Sequence, residues 1–184
     1  MTIPERGVAA PFGLQRLPAV VYDEGQIAFR VKEIGDEITE HYPEGEPVLV
    51  LGLLKGSFIF LADLVRRIRR PLHVDFLVAA SYGAGRASSG DVHFLYDPEV
   101  DIRDRHVLLV EDIVDSGATL SRVVPILQGR GPRSLEICAL LHKRRVKLEK
   151  EPIWVGFQAP QEFLVGYGLD HAEDFRHLPF IGCL

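Results

Sequence analysis

One segment, residues 107–120, runs from an apolar stretch through a cluster of acidic and small residues into a helical pattern. Residues 107–110 (VLLV) have no polar face, as expected for a parallel strand that is covered on both sides. Glu111 and Asp112 follow directly, and apolar residues then recur at helical spacing over residues 120–127. This order of strand, loop and helix constrains the chain to an α/β fold with ligands at the carboxyl ends of its strands.

The loop within this segment carries one acidic and four small residues: Asp115, Ser116, Gly117, Ala118 and Thr119. The start of a helix leaves backbone N–H groups unpaired and positively polarised, and small side chains give a phosphate access to them. Nearby acids would repel a phosphate unless they serve sugar hydroxyls, a divalent cation or a proton. The segment therefore predicts a sugar-phosphate site. In the plainer alternative, Asp115 only caps the helix and the other acids end a strand in solvent.

The segment resembles the ribose-phosphate signature of the type I phosphoribosyltransferases, specifically their hypoxanthine-guanine branch. The matching residues are Glu111, Asp112, Asp115, Ser116, Gly117 and Thr119, whereas Ala118 stands where some relatives carry a longer side chain. The resemblance implies a central, mostly parallel sheet flanked by helices, with a small hood and a flexible hairpin loop. The length predicts a single domain over residues 1–184, and its prolines predict an irregular arm at 1–22. The resemblance adds a lid loop at 81–90 and base-binding hood elements at 152–184.

Composition narrows the class of protein. Hydrophobic residues make up 47% of the 184 residues, enough for one sizeable core. A net charge of −5 argues against nucleic acid as a partner. Neither a membrane-spanning run nor a signal peptide is evident, so we expect a soluble, cytoplasmic protein. Cys138 lies in an apolar run and Cys183 does not. These two differently placed cysteines do not indicate a disulfide framework.

Hydrophobic periodicity outlines the remaining elements. It predicts a helix through Ile27 and Ile38 that ends before Pro43. A second predicted helix, at 58–68, has a basic end suited to its negative pole. Strands are predicted at 48–53, 74–80 and 135–141, and residues 92–96 are predicted to return as a hairpin partner of the strand at 74–80.

A second candidate site, residues 54–57 (LKGS), directly follows the strand at 48–53. Gly56 permits a close approach of backbone to an anion, and Lys55 can neutralise one. The spacing is not that of a Walker loop, and a simple helix entry is the alternative. The resemblance implies that the Lys55–Gly56 peptide is cis and binds pyrophosphate.

The loop at 81–90 (SYGAGRASSG) contains no bulky aliphatic residue. It does not match a dinucleotide fingerprint, and a disordered hairpin loop is the plain interpretation. The resemblance implies that Ser81 and Tyr82 lead a lid that closes over the reacting centre. Closure would exclude water from a transition state with oxocarbenium character.

Base recognition is expected in the last third of the chain. The resemblance places Lys143 against the purine 6-oxo group, Phe163 in a stack on the base, and the Leu164 backbone carbonyl against the base. A cationic donor at the 6-position favours oxopurines over adenine. The alternatives are a solvated basic turn for Lys143 and plain core for Phe163.

Residues 162–170 (EFLVGYGLD) match the family's closing motif, and this motif and the nearby stretch 173–176 (EDFR) are expected to supply a metal contact and an anion contact. The resemblance implies that Asp170 helps hold Mg²⁺ and that Arg176 contacts pyrophosphate. A turn role for Asp170 and a surface ion pair for Arg176 are the alternatives. His171 and His177 have no evident third ligand, so no zinc site is proposed.

Together these features predict a purine salvage enzyme that moves ribose 5-phosphate from phosphoribosyl pyrophosphate to hypoxanthine or guanine, with xanthine as a further candidate. Glu111 and Asp112 would engage the ribose hydroxyls or Mg²⁺, residues 115–119 the 5-phosphate, and Asp115 would serve as general base. A xanthine-preferring enzyme and a non-catalytic sensor of phosphoribosyl pyrophosphate stay open as alternatives. The resemblance implies a homodimer or homotetramer that binds neither nucleic acid nor membranes.

Overall fold

The structure is a computed structural model that describes residues 18–79, 94–98, 100–143 and 147–184. Strands and helices alternate along most of this chain. In order they are β1 Ala19–Tyr22, α1 Glu24–His41, β2 Val48–Leu54, α2 Phe58–Val65, β3 Leu72–Ala79, β4 Phe94–Tyr96, β5 His106–Val114, α3 Ala118–Gly129, β6 Ser134–His142, β7 Trp154–Gln158, β8 Leu164–Val165 and β9 Ile181–Cys183.

The central sheet has six strands in the order β4-β3-β2-β5-β6-β7. All neighbours are parallel except β4, which pairs antiparallel with β3. The expected α/β architecture with a mostly parallel sheet is thereby confirmed. β4 also confirms the predicted hairpin partner over the residues that the structure describes.

Helices cover both faces of this sheet, which explains why its middle strands are apolar throughout. On β5, Leu108 and Val110 pack in the cluster that contains α1 and α2. Val107 and Leu109 point to the opposite face and pack with α3. Because successive side chains of a strand alternate between faces, a strand buried on both sides needs a continuous apolar run.

Helix α1 has clear limits in the sequence. Asp23 is its N-cap and forms a capping box with Gln26, each side chain accepting from the other's backbone N–H. The helix ends at His41, just before the extended residue Tyr42 and Pro43. Its buried stripe contains Ile27, Val31, Ile34 and Ile38, as the periodicity predicts.

A second, small sheet has three antiparallel strands in the order β1-β9-β8. Its strand β1 corrects the prediction of an irregular arm over residues 1–22, because residues 19–22 pair with β9. A partner so distant in sequence cannot be inferred from local pattern. Within the predicted hood at 152–184, β7 belongs instead to the central sheet, where it pairs with β6.

The predicted carboxyl-terminal ends of strand β5 and helix α2 are also wrong. The strand β5 continues through Glu111 and Asp112 to Val114 because β6 offers ladder partners up to His142. Helix α2 ends at Val65, so the arginines that follow do not lie in its last turn. Arg69 instead pairs with Asp36 of α1 at 2.6 Å.

Cys138 is buried and Cys183 partly exposed, and both are free thiols, which fits the sequence interpretation. Within the described ranges, no helix is long and apolar enough to span a membrane.

Candidate active site

A cleft of about 550 Å³ opens where strands β2, β3, β5 and β6 end, facing the segment around the small sheet. It brings together most of the side chains singled out in the sequence. Its lining includes Lys55, Gly56, Asp112, Asp115, Lys143, Phe163, Leu164, Asp170 and Arg176. This position agrees with the rule that parallel sheets bind ligands at strand carboxyl ends.

Asp115 and Lys143 meet because of the register between β5 and β6. Val114 pairs with His142, and the next residue of each strand is Asp115 and Lys143, respectively. The Lys143 backbone N–H donates to the Val114 carbonyl at 2.9 Å. The Lys143 Nζ lies 3.0 Å from Asp115 Oδ1, and only 13% of the lysine side chain is exposed. Lys143 is therefore a sheltered cation in the cleft, and the solvated basic turn is not observed.

Glu111 and Asp112 form a pair of carboxyl groups, of which Glu111 is buried and Asp112 is half-buried. Burial raises the pKa of Glu111 well above its usual value, and the neighbouring Asp112 raises it further. Burial also raises the pKa of Asp112, although Glu111 and Arg176 partly oppose this. Glu111 Oε2 has no hydrogen-bond partner among the described residues. Glu111 thus lies behind the cleft, while Asp112 reaches into it.

Position 56 requires glycine because no larger side chain fits there. A Cβ at this position would lie 1.7 Å from Asp112 Oδ2, and a Cβ at Gly168 would lie 2.2 Å from the Gly56 carbonyl oxygen. The loop after β2 is therefore held between the β5 carboxylate and the closing motif. The cis peptide of this loop is Leu54–Lys55, one bond before the expected Lys55–Gly56. Neither bond precedes proline, so the sequence carries no signal to choose between them.

Arg176 is a sheltered cation, and the ion pairing considered as its alternative role is present, with Asp170 and Glu173 as the partners. Its guanidinium donates to the Gly168 carbonyl at 2.8 Å and lies 2.8 Å from Asp170 Oδ1 and 3.4 Å from Glu173 Oε2. Only 19% of its side chain is exposed. Asp170 also accepts from the Glu173 backbone N–H at 2.9 Å, so the turn role considered for Asp170 is real.

The start of α3 presents backbone donors, as the small-residue loop predicts. Gly117 is the N-cap residue, with φ of 72°, a conformation that glycine adopts without strain. The interpretation of Asp115 as the helix cap is therefore wrong. The first helical bond runs from the Ser121 N–H to the Gly117 carbonyl, so the earlier N–H groups point out of the helix. Ser116, Ala118 and Thr119 are exposed there and do not line the cleft itself.

Phe163 is 55% exposed, which rules out its interpretation as plain core. Its ring meets His171 edge-on, with centroids 5.4 Å apart. The Phe163 carbonyl accepts from the Leu184 N–H at 3.1 Å. Because hydrogen-bonded and non-bonded pairs alternate in an antiparallel ladder, the next pair, Leu164 with Cys183, is non-bonded. The Leu164 carbonyl is thereby left available to a ligand.

Two predicted residues, Ser81 and Tyr82, lie outside the described part of the chain, as does the whole loop at 81–90. Conversely, sequence reasoning missed Glu173, whose carboxylate lies 3.0 Å from the Lys55 Nζ. The sequence pattern that could have identified Glu173 is its position between Asp170 and Arg176, three residues from each. Across the described ranges, no three His, Cys, Asp or Glu side chains are arranged to hold a metal ion.

Comparison with known proteins places these features in a family. Residues 20–172 match the model of the phosphoribosyl transferase domain. The hypoxanthine phosphoribosyltransferase of Salmonella typhimurium is 48% identical over 165 residues, which cover 89% of this chain and 93% of that protein. A crystal structure of a hypoxanthine-guanine phosphoribosyltransferase from Bacillus anthracis matches with a TM-score of 0.85 and 41% identity, over 92% of this chain and 99% of that one. A hypoxanthine phosphoribosyltransferase from Staphylococcus aureus matches with a TM-score of 0.83 and 42% identity, over 90% of each chain.

Proposed function

The chain belongs to the phosphoribosyltransferase family, and we propose that it transfers the 5-phosphoribosyl group of phosphoribosyl pyrophosphate to hypoxanthine or guanine in purine salvage. The products are IMP or GMP and pyrophosphate. The observation that carries this proposal is the cleft itself, in which the cations Lys55 and Arg176 lie across from the oxopurine donor Lys143. Relatives named for this activity do not favour a xanthine-preferring enzyme or a non-catalytic sensor.

The donor substrate occupies the side of the cleft between β2 and α3. Lys55, Gly56 and Arg176 bind its pyrophosphate, since two cations and a close backbone approach suit a highly charged anion. The 5-phosphate binds at the exposed start of α3, where Ser116, Gly117, Ala118 and Thr119 offer backbone N–H groups.

The ribose binds between these two anion sites, next to the acidic pair. Asp112, which reaches into the cleft, accepts from a ribose hydroxyl. Glu111 supports the same contact from behind, where its unpartnered Oε2 provides a further acceptor once the group is ionised.

The purine occupies the side formed by β6 and the closing motif. Phe163 stacks on its face, the Leu164 carbonyl accepts from its edge, and Lys143 donates to its 6-oxo group. Adenine carries an amino group at that position and would leave Lys143 without an acceptor, so the site discriminates against adenine.

Asp115 is proposed as the general base, or as the electrostatic partner of a purine ring nitrogen. In the transfer, the bond from ribose C1 to the pyrophosphate oxygen breaks and a bond from C1 to the ring nitrogen forms. The proton that the purine ring loses passes to Asp115, whose side chain is 64% exposed to the cleft and solvent.

Mg²⁺ is the proposed cofactor, and the acidic residues fit it in part. Mg²⁺ usually takes one or two protein carboxylates and completes its shell with substrate phosphates and water. Asp170 and Asp112 line the cleft and would supply those carboxylates, with Glu111 behind them. When bound, the ion neutralises charge on the leaving pyrophosphate.

Two further features, the lid and the assembly, rest on the family resemblance alone, and the cytoplasmic location rests on the sequence pattern. Ser81 and Tyr82 are proposed to lead a lid that excludes water during transfer. The enzyme is proposed to act in the cytoplasm as a homodimer or homotetramer, and light scattering measures that assembly directly.

The test is to mix the protein with phosphoribosyl pyrophosphate, Mg²⁺ and one purine at a time, and to follow nucleotide formation. IMP and GMP are the expected products, with little or none from adenine. The relative rates with hypoxanthine, guanine and xanthine rank the three oxopurines. Faster turnover of xanthine would replace the proposal by the xanthine-preferring alternative, and no product with any base would favour the sensor.

A further inference from the structure

In the described part of the chain, three cations line the cleft, and each is paired with an acid of the same cleft. Lys143 pairs with Asp115 at 3.0 Å, and Arg176 pairs with Asp170 at 2.8 Å. The third, Lys55, pairs with Glu173 at 3.0 Å. Among the described residues that line the cleft, an incoming anion therefore meets only cations that already pair with a carboxylate, and it must exchange with that carboxylate.

Glu173 differs from the other acids because its single carboxylate bridges two cations. Its Oε1 lies 3.0 Å from the Lys55 Nζ, and its Oε2 lies 3.4 Å from a terminal nitrogen of Arg176. These two cations lower the pKa of Glu173, mainly through the hydrogen bond from Lys55, so the group is ionised at neutral pH. A carboxylate that bridges two cations resembles one phosphate group of a diphosphate in charge and in spacing of oxygens.

The backbone around Glu173 adopts an unusual conformation. The residue has φ of 70°, and the nearby Ala172 and Phe175 have φ of 53° and 74°. Residues other than glycine rarely adopt this left-handed region, which costs free energy that the surrounding turn must offset. The Glu173 N–H is fixed by Asp170 Oδ2 at 2.9 Å.

We propose that Glu173 occupies the Lys55–Arg176 cation pair in the free enzyme and lowers the affinity for pyrophosphate, because the diphosphate must displace it. This inference rests on the proposed function, which assigns these two cations to pyrophosphate. It makes Glu173 a residue that sets substrate affinity without itself contacting the substrate.

The expected effect is modest, because both partners are exposed. The side chains of Lys55 and Glu173 are 66% and 67% exposed, and exposed ion pairs are weak. Removing the competing charge should lower the Kd for pyrophosphate about two- to fivefold. The difference should shrink as salt screens the exposed charges.

The experiment is a calorimetric titration of inorganic pyrophosphate with Mg²⁺ into wild type and four variants, at low and at higher salt. Glu173→Gln keeps the shape of the side chain and loses its charge, and Glu173→Ala removes the side chain. Asp174→Asn is the matched control, since it removes one charge from the adjacent residue, whose described contacts include no ion pair with Lys55 or Arg176. Lys55→Met tests whether Lys55 contributes to the pyrophosphate site.

The proposal predicts tighter binding in both Glu173 variants and an unchanged Kd in Asp174→Asn. An unchanged or higher Kd in the Glu173 variants overturns it, and so does equal tightening in Asp174→Asn. If Lys55→Met weakens binding while the Glu173 variants show no gain, the competition is wrong and the pyrophosphate site stands. If Lys55→Met leaves the Kd unchanged, the pyrophosphate site and the competition are both wrong.

Discussion

The Lys143 side-chain nitrogen lies 3.0 Å from Asp115 Oδ1, although the two residues follow different strands. The parallel register of β5 and β6 brings them level, so the candidate oxopurine donor and the candidate general base form one unit. Under the proposed function, a purine bound there would contact both, with its 6-oxo group at the lysine and a ring nitrogen at the aspartate. This relationship gives the first two predictions.

Asp115→Asn should lower kcat about 10²- to 10⁴-fold, the usual contribution of a general base. Asparagine keeps the shape and a hydrogen-bond acceptor, so the affinity for IMP should change little. Steady-state rates and a calorimetric titration of IMP measure the two effects. Normal turnover by this variant would show that Asp115 has another role.

Lys143→Met should reduce kcat/KM for hypoxanthine and guanine about 10- to 100-fold, the loss of one charged hydrogen bond. The rate with adenine should not fall by the same factor, so discrimination between oxopurines and adenine should narrow. Lys147→Met is the control, since Lys147 is exposed four residues later in the chain. A uniform loss with all three bases would contradict contact between Lys143 and the 6-oxo group.

Glu111→Gln should make the protein more stable at neutral pH and less active. Burial raises the folded-state pKa of Glu111, so the folded protein keeps a proton that the unfolded chain has already lost. The free energy of unfolding therefore falls as pH rises from the ordinary glutamate pKa towards the raised one, and Glu111 has no effect below that window. Because glutamine does not titrate, the substitution removes the contribution of Glu111 to the pH dependence of the free energy of unfolding. The contribution of Asp112 remains.

Thermal unfolding across pH 4 to 9 measures this gain, with the exposed Glu40→Gln as a control that should follow wild type. Activity of Glu111→Gln should fall about tenfold or more, because glutamine cannot ionise to provide a charged acceptor when ribose or metal binds. A variant that is less stable than wild type at neutral pH would show that the ionised group is satisfied in the folded protein.

Gly56→Ala should impair the use of phosphoribosyl pyrophosphate. Its Cβ would lie 1.7 Å from Asp112 Oδ2, so the loop and the carboxylate must separate. Displacement of binding groups by this amount lowers kcat/KM by on the order of 10- to 100-fold. Gly129→Ala is the control, because a Cβ there meets no atom within 4 Å. Equal kinetics in the two variants would mean that the loop does not bind substrate.

Phe163→Ala should raise KM for hypoxanthine about 5- to 100-fold, the loss of one base–aromatic stack. The ring is 55% exposed, so its removal should change the melting temperature little. Phe60→Ala provides the contrast, since Phe60 is fully buried and should lose about 3–5 kcal/mol of stability. A large loss of stability in Phe163→Ala would instead indicate a packing role.

The sequence was most informative where local pattern and tertiary environment agree. The run at 107–110 and the stripe of Ile27 to Ile38 became the central strand β5 and helix α1, because continuous and periodic burial leave distinct patterns. Resemblance of short motifs then singled out nine residues that the structure places around one cleft.

The remaining features depend on partners that are remote in sequence. Glu111 and Asp112 looked like the end of a strand, but pairing with β6 carries the strand past them. β1 forms because it pairs with β9, and the local sequence pattern does not predict such a pairing. Glu173 gains much of its importance from Lys55, a residue that lies 118 positions earlier, at the end of β2. Such contacts arise when whole elements pack together, so hydrophobic periodicity cannot predict them.

The pairing of Ala19 with Cys183 also bears on how the protein is made. On the ribosome, β2, β3, β5 and β6 emerge before the last strand and can assemble into the central sheet while synthesis continues. The small sheet cannot close until β9 has left the exit tunnel, because β9 is its middle strand. Phe163 and Leu164 are therefore fixed only after β9 has emerged, so this wall of the cleft forms later than the central sheet.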